Sequence, residues 1–397
     1  MNRKVSVKNI IVRRKIKLIS LLLITAFLAF PLSVSAIPSD NGGASFDIDC
    51  KSAILMEAET GSVLYEKDAD IALPPASVTK VMTLLLVMEA IEEGKIKYDD
   101  MVSASANACS MGGSQIYLEE NEQMSVEDLV KSVVIASAND AAVALAEYVS
   151  GTEEAFVAQM NQKAQKLGMK NTYFENTNGL DDTVEKHLTS ARDIAIMSRE
   201  LIKYPKITEY SSIWMDSIRN GEFGLTNTNR LVRFYRGATG LKTGSTSKAG
   251  FCISATAERD GMTLICVIMG SPSRDVRNAA AVSLLDYGFS NYGVYRAQGD
   301  SVEQIPILKG NKPYVKAEYG EYGQVLKKSE QSKVEKIILL PQSVEAPVKK
   351  GDVIGSVVYK LGDVELGKRD ITVSEDIEKL NFSGTVKIFL NKLAEIL

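Results

Sequence analysis

Alternating apolar positions predict strands at both ends of the first 290 residues of the chain. Residues 52–59 and 63–65 alternate around a short polar turn and predict a β-hairpin. A second hairpin is predicted from 250–257 and 262–269, which a charged turn joins. Because helical segments lie between the two hairpins, the sequence predicts an α+β or three-layer α/β/α unit.

Four segments between or after these hairpins are predicted as helices. Segment 81–91 is apolar on nearly all sides, which predicts a helix buried in the middle of a domain. It follows a break at 73–76, which contains two prolines. Segments 125–149 and 153–167 predict further helices, and 279–287 predicts a helix that closes the unit.

After about Asn291 the pattern changes to short apolar runs separated by glycine and charged turns. This change predicts a small all-β, sandwich-like domain at 292–380. The runs are 305–308, 337–340, 353–359, 364–366 and 371–373. The last segment, 381–397, has apolar residues at helical spacing and is too short to span a bilayer. It predicts an amphipathic helix that either lies on a membrane surface or packs on the β domain.

The first 36 residues have the layout of a secretory signal peptide. Seven bases without any acid precede an apolar run that ends at Phe30, and Val34-Ser35-Ala36 supplies small residues for cleavage. This layout predicts removal of residues 1–36 and an extracytoplasmic location. The alternatives are an uncleaved anchor or a buried helix, although the apolar run is short for a membrane-spanning helix.

Charge and cysteine content narrow the classes of function. Without the seven leader bases, 39 bases remain against 50 acids, and the resulting net charge of −11 argues against nucleic acid as a partner. The four cysteines have spacings that fit no metal motif, so we predict no metal and no cofactor. Cys252 and Cys266 lie nearly symmetrically about the second predicted turn and would face each other across it. Buried free thiols are nevertheless favoured over a disulfide there.

The histidine content limits the kind of hydrolase that this chain can form. The only histidine is His187, and no G-x-S-x-G motif is present, so a Ser-His-Asp triad is disfavoured. A zinc hydrolase would need several closely spaced ligands. We therefore expect a hydrolase of this sequence to use a lysine or a carboxylate as its base.

The tetrapeptide 77–80 (Ser-Val-Thr-Lys) is a candidate for such a base and its nucleophile. Residues i and i+3 share one face of a helix, so the Ser77 hydroxyl and the Lys80 amine can meet. Ser77 lies near the N-terminus of the buried helix, where free N–H groups favour an oxyanion. Burial beside positive charge would lower the pKa of Lys80 and let it act as a neutral base. The pattern alone is weak, because it recurs at 245–248.

Two further triplets follow in the chain. Triplet 137–139 (Ser-Ala-Asn) is predicted in a turn between helices, where its hydroxyl and amide can point into a cleft, although such a triplet is more often a helix cap. Triplet 242–244 (Lys-Thr-Gly) is predicted to precede the strand 250–257, where its glycine lets a peptide approach the strand edge. The three motifs are separated by 60 and 105 residues.

This ordered set resembles the three motifs of the penicillin-recognising serine enzymes. The sequence around them is similar to the serine D-Ala-D-Ala carboxypeptidases, the low-molecular-mass penicillin-binding proteins of peptidase S11 type. The resemblance is close over about residues 45–291. It rests on the segments 73–77, 137–141, 174–180, 190–193 and 240–244. It implies a transpeptidase/β-lactamase-like fold with a helical subdomain for a catalytic domain at 37–291.

The resemblance also implies the chemical roles of the site residues. Ser77 would attack the carbonyl between the two terminal D-alanines, and Lys80 would accept its proton. Ser137, held by Lys242, would relay a proton to the leaving amine. Asn139 would hydrogen-bond the substrate backbone and Lys80. The oxyanion hole would consist of the backbone N–H groups of two serines, Ser77 and Ser245.

A carboxypeptidase must also bind a free carboxylate, for which arginine is the natural partner. The resemblance assigns this role to Arg277 with the assistance of Thr246, and Arg274 is the second candidate. The substrate peptide would run along Thr243 and Gly244. His187 and Glu175 are expected to have structural roles only.

The implied substrate is a peptidoglycan stem peptide that ends in D-Ala-D-Ala, and β-lactam antibiotics are the implied covalent inhibitors. A β-lactamase or a D,D-endopeptidase on the same catalytic unit is an alternative. The additional β domain and tail argue against the β-lactamase. A non-catalytic wall-binding protein that retains the motifs is a third alternative.

Overall fold

The structure is a computed structural model that describes residues 48–182, 184–382, 384 and 386. The predicted signal peptide and most of the predicted C-terminal helix lie outside the described residues. Within the described part, no helix is both long enough and apolar enough to cross a membrane.

The secondary structure is mixed in the first part of the described chain and almost entirely strand after residue 291. The strands are β1 (Ser52–Glu57), β2 (Val63–Lys67), β3 (Met101–Ser103), β4 (Gln123–Ser125), β5 (Met215–Ile218), β6 (Phe223–Thr226), β7 (Ala238–Thr246), β8 (Gly250–Arg259), β9 (Met262–Ser271), β10 (Tyr292–Ala297), β11 (Asp300–Leu308), β12 (Tyr314–Tyr319), β13 (Tyr322–Lys327), β14 (Val334–Leu339), β15 (Val344–Glu345), β16 (Val353–Leu361) and β17 (Val364–Val373). The helices are α1 (Lys80–Glu92), α2 (Ala106–Cys109), α3 (Val126–Lys131), α4 (Asn139–Ser150), α5 (Glu153–Lys166), α6 (Ala191–Leu201), α7 (Pro205–Ser211), α8 (Leu231–Phe234), α9 (Arg274–Asn291) and α10 (Lys328–Gln331).

A five-stranded antiparallel sheet separates two helical layers. Its strand order is β2-β1-β9-β8-β7, and both predicted hairpins belong to it. Alternate residues of β9 point to opposite faces, as the pleat of a strand requires. Ile265 and Val267 pack in the core with α1 and α6, whereas Leu264 and Ile268 pack in the core with α9. The predicted three-layer α/β architecture is therefore confirmed.

Helix α1 lies in the interior of the larger core, as its apolar sequence predicts. Ten of its thirteen residues are buried, and a 3₁₀ turn at Ala76–Thr79 precedes it. Its neighbours include α4, α5 and α6. The 3₁₀ turn that carries Ser77 leads directly into this buried helix and packs against β7 at the edge of the sheet.

Three local predictions are corrected by the structure. The triplet 242–244 precedes the predicted strand, which is β8, but it lies inside a strand of its own, β7, which pairs with β8 and forms the edge of the sheet. The predicted helix 125–149 is interrupted by a π-helical segment at Ser132–Ala136. Cys252 and Cys266 do not face each other: Cys252 is buried in the core on the α1 side, and Cys266 in the core on the α9 side.

The described chain after residue 291 forms a separate β core, which confirms the predicted all-β part. A six-stranded sheet in the order β14-β16-β17-β12-β11-β15 encloses buried residues such as Val315, Val357 and Ile371. A second pair, β10-β13, contributes Val325 to the core beside α9. The four-residue helix α10 is a helical exception among these strands.

Candidate active site

The 3₁₀ turn at the start of α1 places the Ser77 hydroxyl beside the Lys80 amine. The distance from Lys80 Nζ to Ser77 Oγ is 2.9 Å. Lys80 also donates to Asn139 Oδ1 at 2.5 Å and to the carbonyl of Asn178 at 2.8 Å. The last two groups can only accept hydrogen bonds, so they take two N–H groups of the amine. In the neutral amine, the lone pair is consequently left to face Ser77.

Lys80 is fully buried, and burial lowers its pKa well below the usual value of 10.5. The positive charge of Lys242 lowers the pKa further, and the carboxylate of Asp140 raises it in part. The net direction favours a neutral amine, which is the form that can accept a proton from a hydroxyl group.

Ser137 and Asn139 occupy the sharp turn between the π-helical segment and α4. Ser137 has a positive φ of 66°, an uncommon conformation for serine that turns the chain back into the site. The Asn139 side chain donates through Nδ2 to the carbonyl of Gly112 at 2.6 Å. This bond fixes the amide orientation and leaves its oxygen facing Lys80.

Asp140 stabilises this turn by holding the neighbouring loop. Its buried carboxylate accepts backbone N–H bonds from Ile116 and Leu118, each at about 3.1 Å. The backbone N–H of Asn139 in turn donates to the carbonyl of Ser114 at 2.7 Å. The loop and the turn are therefore tied together on the side of the cleft opposite β7.

Lys242 lies in β7, and its side chain reaches across to Ser137. Its Nζ donates to Ser137 Oγ and to the Thr243 carbonyl, both at 2.8 Å. Burial, and then the charge of Arg277, lowers the pKa of Lys242 to about 7. The site thus contains two serine–lysine pairs, Ser77 with Lys80 on the helix and Ser137 with Lys242 across the cleft.

Gly244 lets the edge strand approach the Ser77 turn closely. A Cβ atom at this position would lie 2.7 Å from the backbone nitrogen of Ser77 and 2.9 Å from that of Val78. Such contacts are not tolerated, so only glycine fits. The close approach brings the backbone of the next residue, Ser245, to the same end of the cleft as the Ser77 N–H.

A cavity of about 680 Å³ opens between these elements. It is lined by Ser77, Ser114, Ser137, Trp214, Thr226, Asn227, Thr228, Arg230, Phe234, Thr243, Gly244, Ser245, Arg274 and Arg277. Of the described residues that line it, three are arginines and none is an acid, so the cavity favours an anionic ligand.

The predicted carboxylate-binding residues take different positions. Arg277 lines the cavity, is nearly fully buried and is held by Asn278 Oδ1 and the carbonyl of Cys252. Burial, and then the charge of Arg274, lowers the pKa of Arg277 to about 10. Thr246 instead donates its hydroxyl to Asp181 Oδ2 at 2.5 Å. This contact ties the end of β7 to the loop that contains Asn178.

Several residues of the cleft have no signal of their own in the sequence. Asn178 contributes a backbone carbonyl, for which any residue type would serve. Trp214 and Phe234 form a T-shaped pair at the mouth of the cavity, with Arg233 over both rings. Thr228 bonds to Thr243 Oγ1 at 2.8 Å. These contacts arise only when the segment 214–234 packs beside β7 in the folded protein.

Metal ligands and disulfides are not part of this site. The described residues contain no group of three or more His, Cys, Asp or Glu side chains that could hold a metal ion. All four cysteines are free thiols. The polar side chains that the described site contains are serines, threonines, lysines, asparagines and arginines.

Comparison with known proteins identifies the family. The model of the D-alanyl-D-alanine carboxypeptidases of peptidase S11 type matches residues 38–273. The chain belongs to this family of serine carboxypeptidases. A second model, the C-terminal domain of penicillin-binding protein 5, matches residues 290–379. Both domains of such penicillin-binding proteins are thus represented in this sequence.

Individual relatives cover between 62% and 94% of the chain. D-alanyl-D-alanine carboxypeptidase DacF of Bacillus subtilis is 40% identical over 380 residues, which is 94% of this chain and 97% of the relative. Penicillin-binding protein 5 of Haemophilus influenzae superposes with a TM-score of 0.72 at 33% identity, over 85% of this chain and 100% of the other. Penicillin-binding protein D2 of Listeria monocytogenes, in an ampicillin-bound form, superposes at 0.57 with 30% identity, over 62% and 100%.

Proposed function

We propose that this carboxypeptidase removes the terminal D-alanine of peptidoglycan stem peptides through an acyl-enzyme on Ser77. The observation that carries the proposal is the 2.9 Å contact between Ser77 Oγ and the buried Lys80 amine, whose pKa lies well below its usual value. An amine that is neutral at working pH and adjacent to a hydroxyl activates that hydroxyl as a nucleophile.

In the acylation step, Lys80 accepts the proton of Ser77 as Oγ attacks the carbonyl between the two D-alanines. The negative oxygen of the tetrahedral intermediate lies between the N–H groups of Ser77 and Ser245. The intermediate collapses when the C–N bond breaks and the leaving amine takes a proton from Ser137, which in turn takes up the proton that Lys80 received, so that Lys80 is neutral again. Lys242 holds Ser137 in position for that transfer. D-Alanine leaves, and the peptide remains attached as an ester.

In the deacylation step, a water molecule attacks the ester carbonyl and gives its proton to Lys80. The same oxyanion hole stabilises the second tetrahedral intermediate, the bond from Ser77 Oγ to the carbonyl carbon breaks, and Lys80 returns its proton to Ser77 Oγ. Asn139 supports both steps, because its amide is fixed between Lys80 and Gly112 and can bind the substrate backbone.

Substrate recognition follows from the edge strand and the arginines. The peptide runs along Thr243 and Gly244, and its terminal carboxylate binds Arg277 in the cavity. A β-lactam acylates Ser77 by the same attack, in keeping with the ampicillin-bound form of the Listeria relative. A β-lactam that forms a stable ester is therefore an inhibitor.

Covalent labelling tests the proposal most simply. The purified chain is incubated with a fluorescent penicillin, the labelled peptide is located by mass spectrometry, and D-alanine release from an N-acylated D-Ala-D-Ala peptide is measured in parallel. We expect one label on Ser77, and loss of both label and release in Ser77→Ala. Ser247→Ala, an exposed serine beside the cleft, is the matched control and should retain both. A label elsewhere, or release by Ser77→Ala, contradicts the proposal.

We also propose that the protein is exported and that its C-terminal segment binds the membrane surface. The support is the basic and apolar layout of residues 1–36 and the amphipathic pattern of 381–397. Purified 37–397 and 37–380 can be sedimented with phosphatidylglycerol vesicles. We expect the longer chain to pellet and the shorter one to stay in solution; equal behaviour of the two contradicts this part.

A further inference from the structure

We propose that Thr79 and His187 are positioning residues that orient the Ser77 N–H within the oxyanion hole. The inference rests on the proposed function, because it concerns the peptide group that would stabilise the tetrahedral intermediate. Neither side chain lies against the substrate in this scheme. Both act through the peptide bond between Ala76 and Ser77.

The carbonyl of Ala76 and the N–H of Ser77 belong to one planar peptide unit. A trans peptide fixes the N–H antiparallel to the C=O, so any group that holds the carbonyl also sets the direction of the N–H. Thr79 Oγ1 donates to the Ala76 carbonyl at 2.8 Å in a buried contact. The Thr79 hydroxyl therefore points the Ser77 N–H in the opposite direction, toward the cleft.

The backbone around this peptide is constrained from both sides. Ala76 has a positive φ of 50°, which costs energy for a residue with a side chain. On the other side, a Cβ atom at Gly179 would lie 1.9 Å from the Ala76 oxygen. The backbone of the loop at Gly179 therefore lies directly against this carbonyl. Strain of this kind persists only where the surrounding contacts hold it.

His187 completes a hydrogen-bond chain that leaves the Thr79 proton free for Ala76. Its Nδ1 accepts the backbone N–H of Glu175 at 3.0 Å, so the neutral ring carries its proton on Nε2. Nε2 lies 2.7 Å from Thr79 Oγ1 and donates to it. The hydroxyl must then use its own proton toward the Ala76 carbonyl. Every donor in the chain points in one direction, from Glu175 to Ala76.

The surroundings of His187 keep the ring neutral and out of the chemistry. The ring is 4% exposed and packs edge-on against Phe174 at 5.6 Å between centroids. Burial lowers the pKa of His187 to about 4, although the carboxylates of Glu175 and Asp181 act against this shift. A buried neutral ring with both nitrogens already bonded cannot transfer a proton to the substrate.

The hydrogen bonds that run from Glu175 to Ala76 also polarise the Ser77 N–H, which is the oxyanion donor. A hydrogen bond to a peptide carbonyl strengthens the N–H of the same peptide, because aligned bonds polarise each other. Loss of a whole oxyanion donor typically costs about 10²- to 10³-fold in rate. Loss of its alignment should cost less, and we expect about 10- to 100-fold. The effect should appear in kcat and in acylation, with little change in KM.

Two substitutions at Thr79 separate this role from simple packing. Thr79→Val keeps the shape and removes the hydroxyl, whereas Thr79→Ser keeps the hydroxyl and removes a methyl group. Acylation by a fluorescent penicillin and the affinity for a phenylboronic acid, which forms a tetrahedral anion on a serine, are measured for both. We expect Thr79→Val to lose about 10- to 100-fold in both measurements, and Thr79→Ser to stay within about threefold of wild type.

The outcomes distinguish this inference from the proposed function. If the wild type is not labelled on Ser77, the proposed function fails. If the wild type is labelled and Thr79→Val matches it, only the positioning role fails. Equal losses in Thr79→Val and Thr79→Ser, or slower acylation with unchanged boronic acid affinity, also overturn that role.

If Thr79→Val does not fold, a variant of His187 tests the same inference. In His187→Asn, the shorter side chain can still accept the Glu175 N–H but no longer reaches Thr79. We expect slower acylation and weaker boronic acid binding in parallel. Unchanged values of both in a folded His187→Asn protein overturn the inference.

Discussion

The Nζ of Lys242 donates a hydrogen bond of 2.8 Å to the Oγ of Ser137, across 105 residues of sequence. The lysine is 1% exposed, and its pKa is lowered to about 7 by burial and by the charge of Arg277. A buried ammonium group of this kind costs stability. In the proposed mechanism it holds the serine that relays a proton to the leaving group.

The low pKa of Lys242 predicts a pH-dependent stability difference between the wild type and Lys242→Met. The folded pKa of about 7 lies below the value of 10.5 for a free lysine, so the unfolded chain binds more protons between these values. Wild-type stability should therefore rise relative to the variant as the pH rises from about 7 toward 10.5. The wild type should be at its greatest relative disadvantage below pH 7.

Thermal unfolding at about pH 6 and about pH 9 measures this difference. We expect the Tm of the variant minus that of the wild type to fall by a few degrees between these two values. Lys170→Met, at an exposed lysine, is the matched control, and Lys242→Met should show the larger fall. A Tm difference between Lys242→Met and the wild type that does not change with pH would contradict the lowered pKa of Lys242.

Arg277→Ala is expected to reduce kcat/KM on a D-Ala-D-Ala peptide by about 100-fold, because a buried guanidinium–carboxylate contact would be lost. Steady-state release of D-alanine measures the effect. A peptide with a C-terminal amide, from which release of D-alaninamide is measured, is the substrate control, since it has no carboxylate to bind.

The neighbouring arginine provides the variant control for the same measurement. Arg274 also lines the cavity, but we expect a smaller loss in Arg274→Ala. Equal losses on the acid and amide peptides, or a larger loss in Arg274→Ala than in Arg277→Ala, would refute the assignment of Arg277.

Gly179→Ala should lower the free energy of unfolding by about 3–5 kcal/mol, because the new Cβ would collide with the Ala76 carbonyl and φ is +85°. Gly168→Ala is the matched control, with a φ of +72° and no atom within 4 Å of the added Cβ. It should cost only about 1–2 kcal/mol. Urea unfolding of both variants measures the contrast, and equal costs would show that the contact with Ala76 is unimportant.

From the sequence alone, the chemical groups of this site can be predicted better than their spatial arrangement. Ser77 and Lys80 are separated by one helical turn, so their contact follows from local spacing. Their low-dielectric environment also follows, because the helix that carries them is apolar on nearly all sides. The family resemblance then links these residues to Ser137, Asn139 and Lys242.

The remaining contacts depend on tertiary structure and could not be predicted. Asn178 acts through a backbone carbonyl, which leaves no signature in residue type. The strand that carries Lys242, β7, is not predicted from the sequence, because its apolar and polar residues do not alternate regularly. Residues 240–244 are all buried, and two of them are glycines. The hydroxyl of Thr246 was expected to face the substrate, and its partner Asp181 lies 65 residues away in a loop.

Buried histidine is a further case in which sequence gives an ambiguous signal. The sequence assigns His187 no catalytic role. Its contacts to Thr79 and to the Glu175 backbone arise from loop packing 108 and 12 residues away, respectively. Only the folded structure shows that its hydrogen bonds reach, through Thr79, the peptide bond beside Ser77.

The most direct test of the account is the rate at which a fluorescent penicillin acylates Ser77 in the wild type and in Lys80→Met. Methionine fills a similar volume but cannot accept the Ser77 proton, so we predict acylation at least about 10³-fold slower in a variant of unchanged fold. Rapid labelling of Ser77 in Lys80→Met, at the wild-type rate, would contradict the claim that Lys80 is the base.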